Sequence, residues 1–76
     1  MLLSSLKKGK TAVVLHINST DDIRVRLYDM GLIEGTKIKS MFISPSKRIN
    51  AYLFRNSIIA IRDKDANNII VEEVYD

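Results

Sequence analysis

The single histidine of the chain, His16, precedes a pair of aspartates, Asp21 and Asp22. Imidazole and carboxylate groups are suitable ligands for a ferrous ion, so this combination is the first candidate for a site with chemistry. A lone histidine without a fixed set of partners rarely holds a metal, however. The two aspartates also stand where a helix begins, which gives them a structural role. We therefore expect no metal site and no bound cofactor.

The other reactive side chains do not favour an enzyme. The chain has no cysteine, which excludes disulfides, thiolate nucleophiles and thiolate metal sites. No histidine is paired with a nucleophile, and no carboxylate pair lies in apolar sequence that would raise a pKa for acid–base catalysis. Gly31 and Gly35 lack the Gly-Lys-Ser/Thr pattern of a phosphate-binding loop and are better explained as a helix stop and a turn. We expect a binding protein without catalytic activity.

Basic side chains dominate the middle of the chain. Residues 37–55 contain no acid, and their basic residues are Lys37, Lys39, Lys47, Arg48 and Arg55. Strand alternation places Tyr52 and Phe54 together on the face opposite Ile49 and Leu53. Basic groups beside aromatic rings are typical of single-stranded nucleic acid binding, whereas lysines alone also suit a solvated sheet face. A nucleic-acid-binding module is therefore the alternative function, and the solvated face is favoured over it.

Composition places the chain among small globular domains. It has 76 residues, 46% hydrophobic and 28% charged, with a formal net charge of +3. We expect one domain over residues 1–76. The longest apolar runs, at 12–15 and 58–61, are far shorter than the ~20 residues of a membrane-spanning helix. Residues 1–3 are too short for the apolar part of a signal peptide, so we predict a cytoplasmic protein without membrane insertion.

The spacing of apolar residues predicts short strands and one helix. Strands are expected over residues 11–17, 37–43, 48–54, 58–61 and 69–74. In the first strand, Val13, Leu15 and Ile17 are expected to share one face. A helix over about residues 20–30 follows this strand. Because so many short strands leave edges to hide, we predict a mainly β fold, a small, partly closed SH3-like barrel.

The helix carries the clearest local pattern. Ser19 and Asp22, three residues apart, have the spacing of a capping box at its start. Gly31 is free to take the positive φ of a helix stop, after which the chain folds back. The apolar stripe expected to face the core consists of Ile23, Leu27 and Met30.

The opposite side of the helix is a candidate binding surface. Helix geometry places Arg24, Val25 and Tyr28 there, and we call these three residues the outer helix face. Tyrosine and arginine are frequent anchors of protein interfaces, and Val25 is an apolar residue on a side that should be polar. We expect this face to bind a partner protein or a second copy of the chain. The loop with Lys47 and Arg48 is the next candidate.

A longer motif around the helix resembles a known family. Residues 6–9 read Leu-Lys-Lys-Gly, residues 26–36 read Arg-Leu-Tyr-Asp-Met-Gly-Leu-Ile-Glu-Gly-Thr, and Ile61-Arg62 is followed by an Asp-Ala-x-x-Ile-x-Val pattern. This order and spacing, which spans nearly the whole chain, resembles the FeoA family, ferrous iron transport protein A. The positions that match its central motif are Arg26, Leu27, Met30, Gly31, Leu32 and Gly35. Arg26 also lies within ion-pairing reach of Asp22 and Asp29 on a helix, which favours a structural role for it.

The resemblance implies a function. It implies a non-enzymatic, cytosolic accessory protein of bacterial ferrous iron uptake, which acts with the cytoplasmic part of the large membrane GTPase-permease of that system. An SH3-like nucleic-acid-binding module is the alternative. The barrel domain of metal-dependent repressors is a third possibility, although the chain contains no helix-turn-helix with which to read DNA.

Overall fold

The five strands and the helix expected from the sequence are present in the computed structural model, which describes residues 1–46 and 48–75. The elements in chain order are a 3-10 helix (Leu3–Ser5), β1 (Thr11–Ile17), α1 (Asp21–Asp29), β2 (Lys37–Ile43), β3 (Ile49–Phe54), β4 (Ser57–Arg62), a helical turn α2 (Asp63–Ala66) and β5 (Ile69–Val74). The strands form one antiparallel sheet in the order β4-β3-β2-β1-β5. The predicted mainly β fold with one helix after the first strand is confirmed, and the sheet is not fully closed.

One side of the sheet and the inner side of α1 enclose the core. Its buried residues are Leu3, Leu6, Ala12, Val14, Ile17, Leu27, Leu32, Ile38, Tyr52, Phe54, Ile61, Ala66, Ile69 and Val71. Leu3 belongs to the short N-terminal helix, which the sequence pattern did not predict. Each of these side chains leaves water on folding, which is the main stabilising contribution in a domain of this size.

The predicted faces of β1 are wrong. Ala12, Val14 and Ile17 are buried, whereas Leu15 is 50% exposed. The register between β1 and β5 shifts between Val14 and His16, which marks a β-bulge. Because a bulge places an additional residue in one strand, the alternation of side chains restarts after it and Ile17 points inward with Val14.

The aromatic side chains of β3 lie on the face opposite Ile49 and Leu53, as predicted, but this face is the core side of the sheet. Tyr52 and Phe54 are 1% and 2% exposed and lie in the core, whereas Ile49 is 49% exposed. The inward face accommodates the large rings, and the Tyr52 hydroxyl donates a hydrogen bond to the carbonyl of Leu3 at 3.5 Å. Burial raises the pKa of Tyr52. The aromatic groups that motivated the nucleic-acid alternative are therefore inaccessible to bases.

Helix α1 ends as predicted but begins differently. Its N-cap is Thr20, with no side-chain capping bond, so the capping box of Ser19 and Asp22 is wrong. At the other end, Gly31 has φ of +93°. The N–H of Leu32 donates to the carbonyl of Leu27 at 2.9 Å, and that of Gly31 donates to the carbonyl of Tyr28 at 2.9 Å. These two bonds form a Schellman motif, which stops the helix.

The apolar stripe of α1 is shorter than predicted. Leu27 is buried and Ile23 packs against the core, but Met30 is 38% exposed. Met30 is the C-cap, one position beyond the last helical residue. Its side chain borders a groove between α1 and β4 instead of the core.

Candidate functional site

The outer helix face is exposed, as helix geometry requires once Leu27 packs into the core. Val25 is 57% exposed and Tyr28 is 39% exposed. The side chain of Arg24 is 35% exposed. The structure therefore brings these three predicted residues together on one surface.

Two of these side chains are held in place by polar contacts. Nη2 of Arg24 donates a hydrogen bond to the carbonyl of Ser19 at 3.1 Å, and Nη1 lies 3.5 Å from the carboxylate of Asp21. The Tyr28 hydroxyl donates to the carboxylate of Glu34, at 2.9 Å from Oε1 and 3.0 Å from Oε2. Side chains held in one conformation lose less entropy when a partner binds. Arg24 and Tyr28 are therefore held in defined conformations on this face.

The contact between Tyr28 and Glu34 changes the acidity of both groups. The hydrogen bond to Glu34 raises the pKa of Tyr28, and burial and the nearby negative charge add to this effect. The pKa of Glu34 is lowered, because its own backbone N–H and the Tyr28 hydroxyl both stabilise the ionised carboxylate. The hydrogen bond is therefore favoured at neutral pH, where tyrosine is protonated and glutamate is ionised.

The second predicted contact region lies elsewhere. Lys47 is outside the described residues. Arg48 is exposed and lines a shallow depression with Ile49, Arg62 and Lys64, none of which belongs to α1. Arg48 therefore lies on a part of the described surface to which the outer helix face does not contribute.

The residues of the central motif have structural roles around the end of α1. Leu27 and Leu32 are buried next to the Schellman motif. The N–H of Gly35 donates to the carbonyl of Val14 at 2.7 Å, which joins the following turn to β1. The ion pairs expected for Arg26 are wrong, since the pairs found among the described residues are Arg24–Asp21 and Arg62–Asp65. Arg26 instead lines the groove between α1 and β4.

His16, the candidate metal ligand of the sequence, is exposed on β1. Within the described residues, no three histidine or acidic side chains come close enough to form a metal-binding group. No helix in residues 1–46 and 48–75 has the length and apolar character to cross a bilayer.

An apolar surface on the outer side of β2, β3 and β4 was missed. Register pairs Phe42 with Ala51, Ala51 with Ala60 and Leu53 with Ile58 across these strands. Phe42 is 52% exposed and Ile58 is 62% exposed. The apolar run at residues 58–61 could have indicated this surface, but only the strand order shows that it adjoins an open edge.

Five antiparallel strands with a helix after the first define a small SH3-like domain. The FeoA domain family matches residues 1–73. The chain therefore belongs to the FeoA family, which consists of small accessory domains linked to ferrous iron transport and not known as enzymes. A comparison with curated proteins finds no match.

Solved structures of similar proteins share this fold. The FeoA protein of Chlorobium tepidum is 29% identical, with a TM-score of 0.94 over 99% of this chain and 71% of that one. Stenotrophomonas maltophilia FeoA, solved with zinc, is described as an SH3 domain protein suggested to act as a ferrous iron transport activating factor. It shares the fold, at 24% identity and a TM-score of 0.81 over 95% of this chain and 89% of that one. T. acidophilum IdeR is 31% identical, with a TM-score of 0.86 over 97% of this chain but only 34% of its own.

Proposed function

We propose that this domain is a cytoplasmic, non-enzymatic accessory protein of ferrous iron uptake that docks on the cytoplasmic part of a membrane GTPase-permease. Membership of the FeoA family supports a role in ferrous iron transport. The description of the Stenotrophomonas maltophilia protein as a transport activating factor supports an effect on a transporter. Docking would alter the assembly or the nucleotide cycle of that partner.

The outer helix face is the proposed contact surface, and the exposure of Val25 carries this choice. Val25 is a 57% exposed aliphatic side chain in the middle of a helix. It lies beside Arg24 and Tyr28, each of which is held by a hydrogen bond. Tyrosine and arginine are enriched among interface hot spots, and the exposed Val25 next to them adds apolar area that a partner can cover.

The test is titration calorimetry of this protein with the isolated GTP-binding domain of the permease. The triple variant R24E/V25K/Y28S should weaken binding at least ~10-fold, or ~1.4 kcal/mol. Because all three side chains lie outside the core, the variant should stay folded, and its Tm should fall only by what the surface contacts of Arg24 and Tyr28 contribute. K8S, in an exposed turn and with the same change in net charge, should bind like the parent. A folded triple variant that binds like the parent would place the contact elsewhere, and Arg48 would be examined next.

Nucleic-acid binding is not retained as a second candidate. The hypothesis required Tyr52 and Phe54 beside the basic side chains, and both rings are in the core. Without these two rings, the pattern on which the hypothesis rested is reduced to basic side chains, whose electrostatic attraction does not distinguish a nucleic acid from other anions.

A further inference from the structure

Strand β4 is an open edge of the sheet. It pairs with β3 on one side, and no strand among the described residues pairs with its other side. Its residues 57–61 contain no charge and no proline, the features that usually protect an edge strand from pairing with another chain. β4 is therefore an unprotected position for one more strand.

The hairpin between β3 and β4 determines which backbone groups face this edge. Arg55 and Asn56 have φ of 52° and 65°, as in a two-residue type I′ turn. Such a turn makes Phe54 and Ser57 a hydrogen-bonded pair, after which bonded and non-bonded pairs alternate. The hydrogen bond from the N–H of Asp63 to the carbonyl of Arg48, at 2.7 Å, fits the same alternation.

Ile58 and Ala60 fall in the non-bonded pairs. Their N–H and C=O groups consequently point away from β3, toward the open edge. Both side chains are exposed, and Ile58 is 62% exposed. These four backbone groups have the spacing that an added strand requires, because they come from residues i and i+2 of one strand.

The opposite edge of the sheet is different. The N-terminal ammonium group donates to the carbonyl of Val71 at 2.9 Å, and the N–H of Val71 donates to the carbonyl of Met1 at 2.8 Å. Leu2 also forms a bridge with Ile70. The next two residues of β5 are Glu72 and Glu73. β5 is thus partly covered and then charged, which are two ways of preventing strand addition.

A groove beside β4 can receive the side chains of an added strand. It has a volume of about 280 Å³ and lies between α1 and β4. Its apolar lining comes from Ile23, Leu27 and Met30 on the α1 side and from Ala60 and Ile61 on β4. Its charged lining residues are Arg26, Arg62 and Asp65. Alternate side chains of an added strand would enter this groove, so those positions should be apolar.

The charge around the edge indicates what the other side chains should be. Residues 37–62 contain no acid, and all nine acidic residues of the chain lie outside this range. Arg48, Arg62 and Lys64 lie together beside the exposed Ile49. Arg62 is paired with Asp65, so Arg48 and Lys64 supply most of the positive charge there. Pairing with β4 of a second copy would bring two such basic regions together, which is unfavourable. An acidic segment would be attracted.

We propose that β4 binds an extended acidic segment of a partner protein, which adds as a strand to the sheet with its apolar side chains in the groove against α1. Main-chain hydrogen bonds to Ile58 and Ala60 would hold it, and the groove would select alternate side chains. This inference does not require the partner to be the permease, and it concerns a surface separate from the outer helix face. Either proposal can fail without the other.

The probe for the test is a capped nine-residue peptide that alternates valine and glutamate. It is titrated into the ¹⁵N-labelled full chain and followed by NMR. We expect saturable shifts of the amides of Ile58, Ala60 and Arg62, with slower hydrogen exchange at Ile58 and Ala60. A matched peptide with lysine in place of glutamate should bind at least ~10-fold more weakly. A peptide N-methylated at alternate residues, on the bonding edge, should not bind.

A60P tests the edge in the protein itself. Proline removes an N–H that does not bond to β3, so the β3–β4 pairing should persist while strand addition is blocked. A60T keeps the N–H and should bind like the parent. If A60P does not fold, the N-methylated peptide gives the same information with the unchanged protein.

Several results would overturn the proposal. These are the absence of saturable binding, equal binding of the lysine peptide, and shifts confined to the outer helix face. Dimerisation of the free chain through Ile58 and Ala60 would show that a second copy occupies the edge. Shifts at these residues with phosphatidylserine vesicles but not with the peptide would assign the surface to a membrane.

Discussion

The side chain of Arg55 lies over the α-carbon of Gly31, where any other residue would carry its β-carbon. This relationship joins the end of α1 to the turn between β3 and β4. The Nε atom of Arg55 would be 2.9 Å from such a β-carbon, closer than β-carbon contacts in real structures. Two conditions therefore favour glycine at position 31. The backbone there has φ of +93°, and the Arg55 side chain lies close to it.

G31V should strongly destabilise the domain. A β-branched residue does not readily adopt positive φ, so the free energy of unfolding should fall by at least ~1–2 kcal/mol, measured by denaturant or thermal unfolding. The variants R55A and G31V/R55A separate the two conditions. R55A removes the close neighbour but not the backbone strain, so most of the loss should remain in the double variant. An unchanged Tm for G31V would contradict the positive φ at this position.

Two buried polar residues should respond to truncation in opposite ways. Ser40 is fully buried, and its Oγ has no hydrogen-bond partner among residues 1–46 and 48–75. Asn50 is 2% exposed, and its Oδ1 accepts a hydrogen bond from the N–H of Ser44 at 3.3 Å. S40A removes an unsatisfied hydroxyl, so it should leave the free energy of unfolding unchanged or raise it by up to ~1 kcal/mol.

N50A provides the matched comparison. It removes a partner from the N–H of Ser44 and leaves a cavity beside Tyr52, so it should lower the free energy of unfolding by ~1–3 kcal/mol. Denaturant unfolding of both variants under the same conditions checks the pair. A loss for S40A as large as that for N50A would show that the Ser40 hydroxyl has a partner.

The Tyr28–Glu34 hydrogen bond should be visible as a pH effect. Because the folded state lowers the pKa of Glu34, this group stabilises the fold above its ordinary pKa of 4.5, and the stabilisation is lost as the pH falls through the lowered value. Y28F removes the hydroxyl but leaves the backbone N–H. The pKa of Glu34 should therefore rise only part of the way to its ordinary value.

Carbon-detected NMR titration of the Glu34 carboxyl measures this change directly. The difference in Tm between the parent and Y28F should shrink as the pH falls below the range in which Glu34 is ionised. Y75F alters a tyrosine that is 82% exposed, and it should leave the pKa of Glu34 unchanged. A Glu34 titration identical in Y28F and the parent would exclude the hydrogen bond in solution.

Local features of the fold were predictable from the sequence. The end of α1 depends on Gly31 and on residues within one turn of it, so the helix stop follows from nearby sequence. The exposure of Val25 and Tyr28 follows from helix periodicity once Leu27 is buried. These are short-range relationships, which a sequence pattern contains.

The side-chain directions in β3 were not predictable in the same way. Both faces of this strand carry a pair of apolar side chains, Ile49 and Leu53 on one face and Tyr52 and Phe54 on the other. Alternation therefore does not distinguish the core face of this strand from its outer face. The choice depends on partners far along the chain, such as the carbonyl of Leu3 that accepts from Tyr52.

The open edge of β4 also depends on parts of the chain that are distant in sequence. Its sequence shows an apolar run, but whether another strand covers it depends on the order of strands in the sheet. That order results from the pairing of β5 with β1, at opposite ends of the chain. The binding surface proposed for β4 was thus accessible only from the structure.

The bulge in β1 makes the strand tolerant of a change in length. Leu15 and His16 both point outward between the inward-facing Val14 and Ile17. Deletion of Leu15 would leave a regular alternation in which Ile17 still enters the core, so Tm should fall by no more than about 8 °C, or ~1 kcal/mol. Deletion of Val13, in the regular part of the strand, would reverse the side chains before it and should prevent folding. In β1, the fold should therefore tolerate the deletion of one residue at the bulge but not in the regular part of the strand.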